Sequence, residues 1–268
     1  MSTTLVVAII TAVLLFAYLS LRLHRARIYA RLRRIQSDLA QRRPPGHDHW
    51  FPPPTTPDFG GRLAIVSNAL PADVHTFLRD QALADRGRER SWLPGHKQGG
   101  TVAYEDLHHR CGDLVSFFLS DDLRRLVSAT VGEDVRPTPV HDQSSCSLLI
   151  YEKPGDHIGW HYDHDFYRGR HFTVLLSLAN ERLDGSGVSS STLQIRREHG
   201  DVSIPTPANT LVMFEGAHVL HRANALGPDQ RRVLLSMTFC TDERCAWWQA
   251  TIRRFKDIGY FGPRALWT

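Results

Sequence analysis

The sequence has few cysteines and no arrangement of them that would staple a fold. Cys111, Cys146, Cys240 and Cys245 are scattered through 268 residues without a CxxC pair. That excludes a zinc ribbon and gives no reason to place the chain in an oxidising compartment. No HExxH pattern occurs, so the helical site of a hydrolytic zinc enzyme is missing too. No internal repeat is evident. Apolar residues are not lacking: 42% hydrophobic and 22% charged residues describe a globular chain with a sizeable core, not a disordered or collagen-like one. Nor does one sign of charge dominate throughout. Residues 1–43 hold eight arginines against Asp38 alone, a local +7, so a net charge of +4 leaves the rest at −3. With the basic residues confined to one arm, the high isoelectric point does not argue for nucleic-acid binding.

That arm carries a long hydrophobic run. Leu5 to Leu21 contains 17 residues without a charge, about 25 Å of helix at 1.5 Å per residue, slightly short of a ~30 Å hydrocarbon core. Snorkelling by Arg22 and Arg25, or local thinning, covers the difference. A cleaved signal peptide has its positive charge before the run and small residues after it; here neutral MSTT precedes and RLHRARIYARLRR follows. A buried core helix would need covering segments that the neighbouring sequence does not offer. The run reads as a single membrane anchor (5–21) behind a short N-terminus (1–4). The arginine flank places the body on the cytoplasmic side. A basic juxtamembrane segment (22–43) is expected to lie on anionic headgroups. The Pro/Gly-rich stretch 44–61 is expected to be a semi-rigid spacer.

From residue 62 to 268 the chain reads as one domain. Helices are expected over PADVHTFLRDQALADRGRE and over SDDLRRLVSATVG, the latter with Ser120 as N-cap and Gly132 as stop. Beyond Val135 come short β-rich runs, among them SSCSLLIYEK, RHFTVLLSLAN, STLQIRRE, NTLVMFEG and RRVLLSMTFC, separated by turn formers such as PGDH and DGSG. Such spacing without interleaved helices implies a sandwich or double-sheet barrel, a mainly β (α+β) fold. DERCAWWQATIRRFKDIG is expected to be a closing helix.

Fifteen histidines invite a metal reading, and most stand in polar, loop-like stretches. His161 and Asp163 differ. At i and i+2 in GWHYDHD, an extended backbone points both to one face. One imidazole and one carboxylate are two thirds of a facial triad for non-haem Fe(II). The third ligand must come from a distant strand, where His218 and His221 are available; the pair Arg231 and Arg232 opens the final strand about ten residues further on.

Residues 62–242 resemble the 2-oxoglutarate/Fe(II)-dependent dioxygenases, nearest the prolyl 4-hydroxylase-like branch. The resemblance rests on HxD at His161 and Asp163, Phe214 seven residues before His221, and an arginine about ten residues later. Tyr151, ten residues before His161, matches the tyrosine that often lines the cosubstrate pocket. The resemblance implies a double-stranded β-helix (jelly-roll) core with flanking N-terminal helices behind the transmembrane helix. It also implies Fe(II) held by His161, Asp163 and His221, with 2-oxoglutarate and O2 as cosubstrates. His221 fits the family spacing better than His218, which is then a neighbour of the site. The distal carboxylate of 2-oxoglutarate would meet Arg232 or Arg231. The parity that turns Ser236 and Thr238 inward favours Arg232, and Arg231 stays open.

Hydroxylation of a C–H bond, with succinate and CO2 as co-products, is the implied outcome. Asp163 disfavours halogenation, which needs a small residue there. The chain departs from the family at GSGVSSSTLQI, where a "GGEL"-like stretch usually stands, so its substrate-side contacts differ. His164 and Asp165 fit either substrate contact or an exposed loop. A peptide, a lipid and a small metabolite all remain open as substrates. The alternatives are a membrane-tethered binding or sensing module without turnover, marked by a missing ligand or arginine, and a cupin-like metal protein, which has no use for the arginine pair.

Overall fold

Alternation along the last strand decides how the molecule is layered. Val233, Leu235, Met237 and Phe239 enter the main hydrophobic core, while Arg232, Leu234, Ser236 and Thr238 line a cavity on the opposite face. A period of two puts alternate residues on opposite faces of a sheet. The computed structural model describes residues 2–52, 56–85, 87, 89–93, 95–262 and 265. Within it the strands are β1 (Leu63–Val66), β2 (Glu89–Leu93), β3 (Lys97–Val102), β4 (Arg136–Pro137), β5 (Cys146–Tyr151) and β6 (His157–His161). They continue as β7 (His171–Arg182), β8 (Leu193–Arg197), β9 (Gly200–Ile204), β10 (Leu211–Phe214), β11 (His221–Ala223) and β12 (Gln230–Cys240). All paired neighbours run antiparallel.

The strand order is β1-β10-β7-β12-β5-β3-β6-β11-β8-β9. β3 pairs with both β5 and β6, so it joins a larger sheet, β1-β10-β7-β12-β5, to a smaller one, β6-β11-β8-β9. This is a jelly-roll, the double-stranded β-helix that the family resemblance implies and one form of the double-sheet fold that the short, closely spaced strands imply. A second apolar cluster drawn from both sheets, Leu175, Val212 and Phe214 with Leu193, Ile195 and Ile204, closes part of the space between them.

The helices between β1 and β4 cover the outer face of the larger sheet. α2 (Ala72–Ala84) and α5 (Asp121–Val131) fall where the periodicity places them. Ser120 accepts from the Leu123 N–H, and Gly132 ends α5 at φ 75°, a left-handed conformation that glycine adopts without strain. α6 (Trp247–Phe261) is the closing helix. α3 (Tyr104–Arg110) and α4 (Gly112–Leu119) were not legible: α4 buries Leu114, Val115, Ser116, Phe117 and Phe118, so no polar face marks its period. β3 has no legible strand pattern either, because Gly99 and Gly100 interrupt it, and β2 is held only by pairing with β3.

The N-terminal arm departs from expectation. α1 is one helix over Thr3–Leu39, about 56 Å long. Its first half is exposed on all sides and apolar enough to cross a membrane. Its C-terminal part packs on the body: Leu32 and Leu39 are buried in the main core, with Ile28, Tyr29 and Ile35 against it. Gln36 Nε2 donates to the Tyr104 hydroxyl at 2.7 Å. Segment 22–43 therefore docks through an apolar stripe rather than lying wholly on headgroups. The stretch 44–61 is not a free spacer either. Trp50 is fully buried, its backbone N–H donates to Asp122 Oδ2 at 2.9 Å, and its ring meets Phe117 edge-on at 5.4 Å. Proline and glycine content says nothing about whether an aromatic side chain docks. Residues 53–55 of that stretch and Met1 of the 1–4 segment lie outside the described residues. The packed body thus begins near Ile28 rather than at residue 62.

Removing residues 2–24 should therefore release a soluble protein of undiminished stability. Removing residues 2–43 strips two buried leucines, each worth about 2–4 kcal/mol, and should lower the melting temperature by roughly 10–20 °C. Equal melting temperatures would show that the helix does not dock.

Candidate active site

Strand register brings the two histidines together. His161 ends β6, His221 begins β11, and the two are paired across the sheet, with ring centroids 4.2 Å apart. Each ring is oriented by its own backbone: His161 Nδ1–H donates to the Gly159 carbonyl and His221 Nδ1–H to the Val219 carbonyl, both at 2.8 Å. A carbonyl only accepts, so both rings keep their lone pair on Nε2. Those two nitrogens stand 3.6 and 3.7 Å from Asp163 Oδ1. Ligand atoms of all three residues lie within 4.8 Å of one another.

Asp163 follows the end of β6 and is held from two sides. Its N–H donates to the Gly216 carbonyl at 3.0 Å, and its Oδ2 accepts from Thr173 Oγ1 at 2.5 Å. Gly216 is required by closeness: a Cβ there would stand 2.2 Å from Asp163 Oδ2 and 2.6 Å from its Cβ. Burial alone would raise the Asp163 pKa, but His221, His161 and the Thr173 hydrogen bond outweigh it and hold the carboxyl well below its usual range. Burial pushes His221 down, against the opposing pull of Asp163. A neutral imidazole beside an ionised carboxylate is the protonation state that a divalent cation takes. The donor set, tautomers and oriented carboxylate fit Fe(II).

The same cavity, about 140 Å³, extends to Arg232. Arg232 is 1% exposed. Its Nη1 and Nη2 donate only long bonds, 3.5 Å to Ser191 Oγ and 3.3 Å to Thr206 Oγ1, and its Nε has no partner. Tyr151 is paired opposite it in the register and presents its ring 5.9 Å from the guanidinium. A buried cation without a counter-ion costs several kcal/mol. No carboxylate among the described residues forms an ion pair with Arg232, so its charge is left without a counter-ion inside the cavity. Arg231 projects from the other face of β12, where Glu181 accepts from its Nε at 3.1 Å. The alternation of the strand thus separates the two arginines that the sequence left open.

His218 lies away from the triad, half exposed and 3.7 Å from Glu215. His164 lines the cavity and stacks on Phe166 at 5.6 Å. Asp165 is exposed and accepts from the Tyr167 N–H at 3.0 Å. The sequence did not disclose that Lys97 and Lys256 line the same cavity. Lys97 on β3 is 2% exposed, its ammonium 4.7 Å over the Tyr260 ring. Burial and the charge of Lys256 push its pKa down to about 7. Lys256 is compensated, at 3.1 Å from Asp257 and 3.6 Å from Asp142. Lys256 and Tyr260 stand at i and i+4 on α6, a legible helical face. Lys97, in a glycine-flanked strand, gave no signal.

No protein-family model matches the chain, and no curated protein matches it either. Solved structures do. The chain is similar to a prolyl-4-hydroxylase from Pseudomonas putida (17% identity, TM-score 0.50), with 80% of this chain covering 99% of that one. It is similar to a prolyl hydroxylase from Trichoplax adhaerens in complex with a hypoxia-inducible-factor peptide (16%, TM-score 0.55, 72% of this chain and 87% of that one). A third match is the epimerase SnoN from nogalamycin biosynthesis, in complex with Fe3+, alpha-ketoglutarate and nogalamycin RO (15%, TM-score 0.52, 67% and 78%). At these identities the likeness establishes a shared fold, that of 2-oxoglutarate/Fe(II) oxygenases.

Two substitutions test the geometry. Gly216→Ala should displace the Asp163 carboxylate and weaken Fe(II) binding by about 10–100-fold; unchanged affinity would mean that the carboxylate is not a ligand. Lys97→Met should stabilise the metal-free protein most at and below pH 7. The folded pKa of Lys97 lies below its unfolded value, so the wild type regains stability between pH 7 and 10.5 and the gain fades. A gain that does not vary with pH would contradict a buried, uncompensated ammonium.

Proposed function

We propose that the chain is an Fe(II)/2-oxoglutarate-dependent dioxygenase that hydroxylates an unactivated C–H bond of a peptide, lipid or small-molecule substrate. In this reading α1 tethers it to a membrane as a single span, with the catalytic body on the cytoplasmic side. One observation carries the proposal: a single cavity joins two Nε2 lone pairs and an ionised carboxylate to a buried arginine without a counter-ion. His161, Asp163 and His221 would hold Fe(II), and Arg232 would pair with the distal carboxylate of 2-oxoglutarate, beside Tyr151, Ser191 and Thr206. Bound together with O2, that pair supplies oxidative decarboxylation to succinate and CO2, coupled to oxidation of a C–H bond.

The protein's own part is orientation and exclusion. The Gly159 and Val219 carbonyls fix the two imidazoles, and Thr173 and Gly216 fix the carboxylate. Leu234, Leu175 and Phe214 keep the middle of the cavity apolar. The prolyl hydroxylase bound to a peptide supports a peptide substrate, and the membrane span favours a lipid or a membrane-linked one. A binding module that had lost turnover would lack a ligand or the arginine; both are present.

Anaerobic titration of the Fe(II)-loaded protein with 2-oxoglutarate should produce the weak visible charge-transfer band of a chelated keto acid. His221→Ala should abolish it, and a folded, iron-loaded wild type without the band would favour the binding module. Arg232→Met should raise the 2-oxoglutarate requirement at least tenfold, whereas Arg231→Met should leave it nearly unchanged. The reverse order would reassign the anion site.

A further inference from the structure

α6 wears its hydrophobic residues on the wrong side for a soluble protein. Its inner face buries Arg253, Asp257 and Phe261 and sends Lys256 and Tyr260 to the cavity. Its outer face exposes Trp247 (83%), Trp248 (52%), Ile252 (47%) and Phe255 (68%). Trp248, Ile252 and Phe255 stand at i, i+4 and i+7, with Trp247 about two turns before Phe255, so the four make one continuous apolar face. Large exposed aromatic patches mark an interaction surface.

The position of α6 identifies what covers that face. Tyr29 of α1 packs 5.8 Å from His141, the next residue, Asp142, lies 3.6 Å from the Lys256 ammonium of α6, and Ser144 Oγ accepts from that ammonium at 2.8 Å; the charge of Arg254 on α6 also reaches Arg25. α6 therefore lies beside the segment of α1 that begins four residues after the apolar run ends at Leu21, about 6 Å along the axis. That is headgroup depth if α1 spans a bilayer. Tryptophan is the residue most at home at that depth, and Arg22, Arg25, Arg27 and Arg254 supply charge for anionic lipid phosphates.

We propose that α6 is a second, interfacial membrane contact, lying in the headgroup layer of an anionic bilayer with Trp247, Trp248, Ile252 and Phe255 inserted. The inference rests on the reading of α1 as a span, and it goes further: the helix that walls the cavity is itself held at the membrane, so the cavity is fixed in orientation to the lipid surface rather than swinging on a tether.

The test uses the full chain reconstituted in phosphatidylcholine/phosphatidylserine vesicles, with and without brominated phosphatidylcholine as a quencher at shallow depth. Tryptophan emission should fall by roughly a quarter or more in the brominated vesicles, and this loss should largely vanish in the double variant Trp247→Phe/Trp248→Phe, which keeps the apolar face. Equal quenching of wild type and variant, or none in either, would overturn the proposal; so would loss of quenching with the face buried in a dimer detected by crosslinking. Resistance to alkaline carbonate extraction reports separately on the α1 span. An extractable protein whose Trp247 and Trp248 are still quenched would retain the interfacial helix and remove the span.

Discussion

The antiparallel register between β6 and β11 is the constraint on which the site depends. It sets His161 opposite His221 across the sheet, and no side-chain adjustment would compensate for a slip. One residue of displacement turns every side chain of a strand to the opposite face, which would send one imidazole out of the cavity. The register is protected by its surroundings. β11 is clasped on its other side by β8, and β6 is held at its start by β3. The backbone carbonyls that orient the two rings come from the same strand segments, so pairing, tautomer and ligand direction are fixed together.

Charge is distributed along the cavity in a way that argues for its use. At one end a carboxylate is kept ionised by two imidazoles and a hydroxyl. In the middle the walls are apolar. Beyond them Arg232 sits in the sheet without an anion, at a cost in stability that only a ligand offsets. Lys97 repeats the pattern toward α6, softened by the face of Tyr260 and by a lowered pKa. Folded proteins tolerate such uncompensated groups where they bind something. The jelly-roll supplies two facing sheets whose inward positions are free for this purpose, while the outward face of the larger sheet, covered by α2 to α5, carries the packing that stabilises the fold.

Much of this was legible in the residues, for identifiable reasons. HxD, the distal His221 and the alternating strands are local patterns, and the alternation that turns Ser236 and Thr238 inward turns Arg232 toward the same cavity. What failed was non-local. Nothing in a glycine-flanked strand announces that Lys97 ends in the cavity, and an all-apolar helix such as α4 has no period to read. The composition of residues 44–61 reads as a spacer, yet the burial of Trp50 against Phe117 depends on a surface built elsewhere. The arginine-rich flank of α1 was read for its charges, while the stripe Ile28, Leu32, Ile35 and Leu39 that docks it runs along the opposite side of the same turns.

In the proposed reading the apolar arm and the cavity form one arrangement, joined through the segment around His141 and Asp142 on which α1 and α6 both pack. Its centre is still the three-ligand site. Crystals of the iron-loaded protein, with anomalous diffraction measured at the iron edge, test that centre most directly. The account predicts a single strong peak between His161 Nε2, His221 Nε2 and the Asp163 carboxylate, with no fourth protein ligand. A peak elsewhere, or one completed by His164, His218 or another side chain, would contradict it.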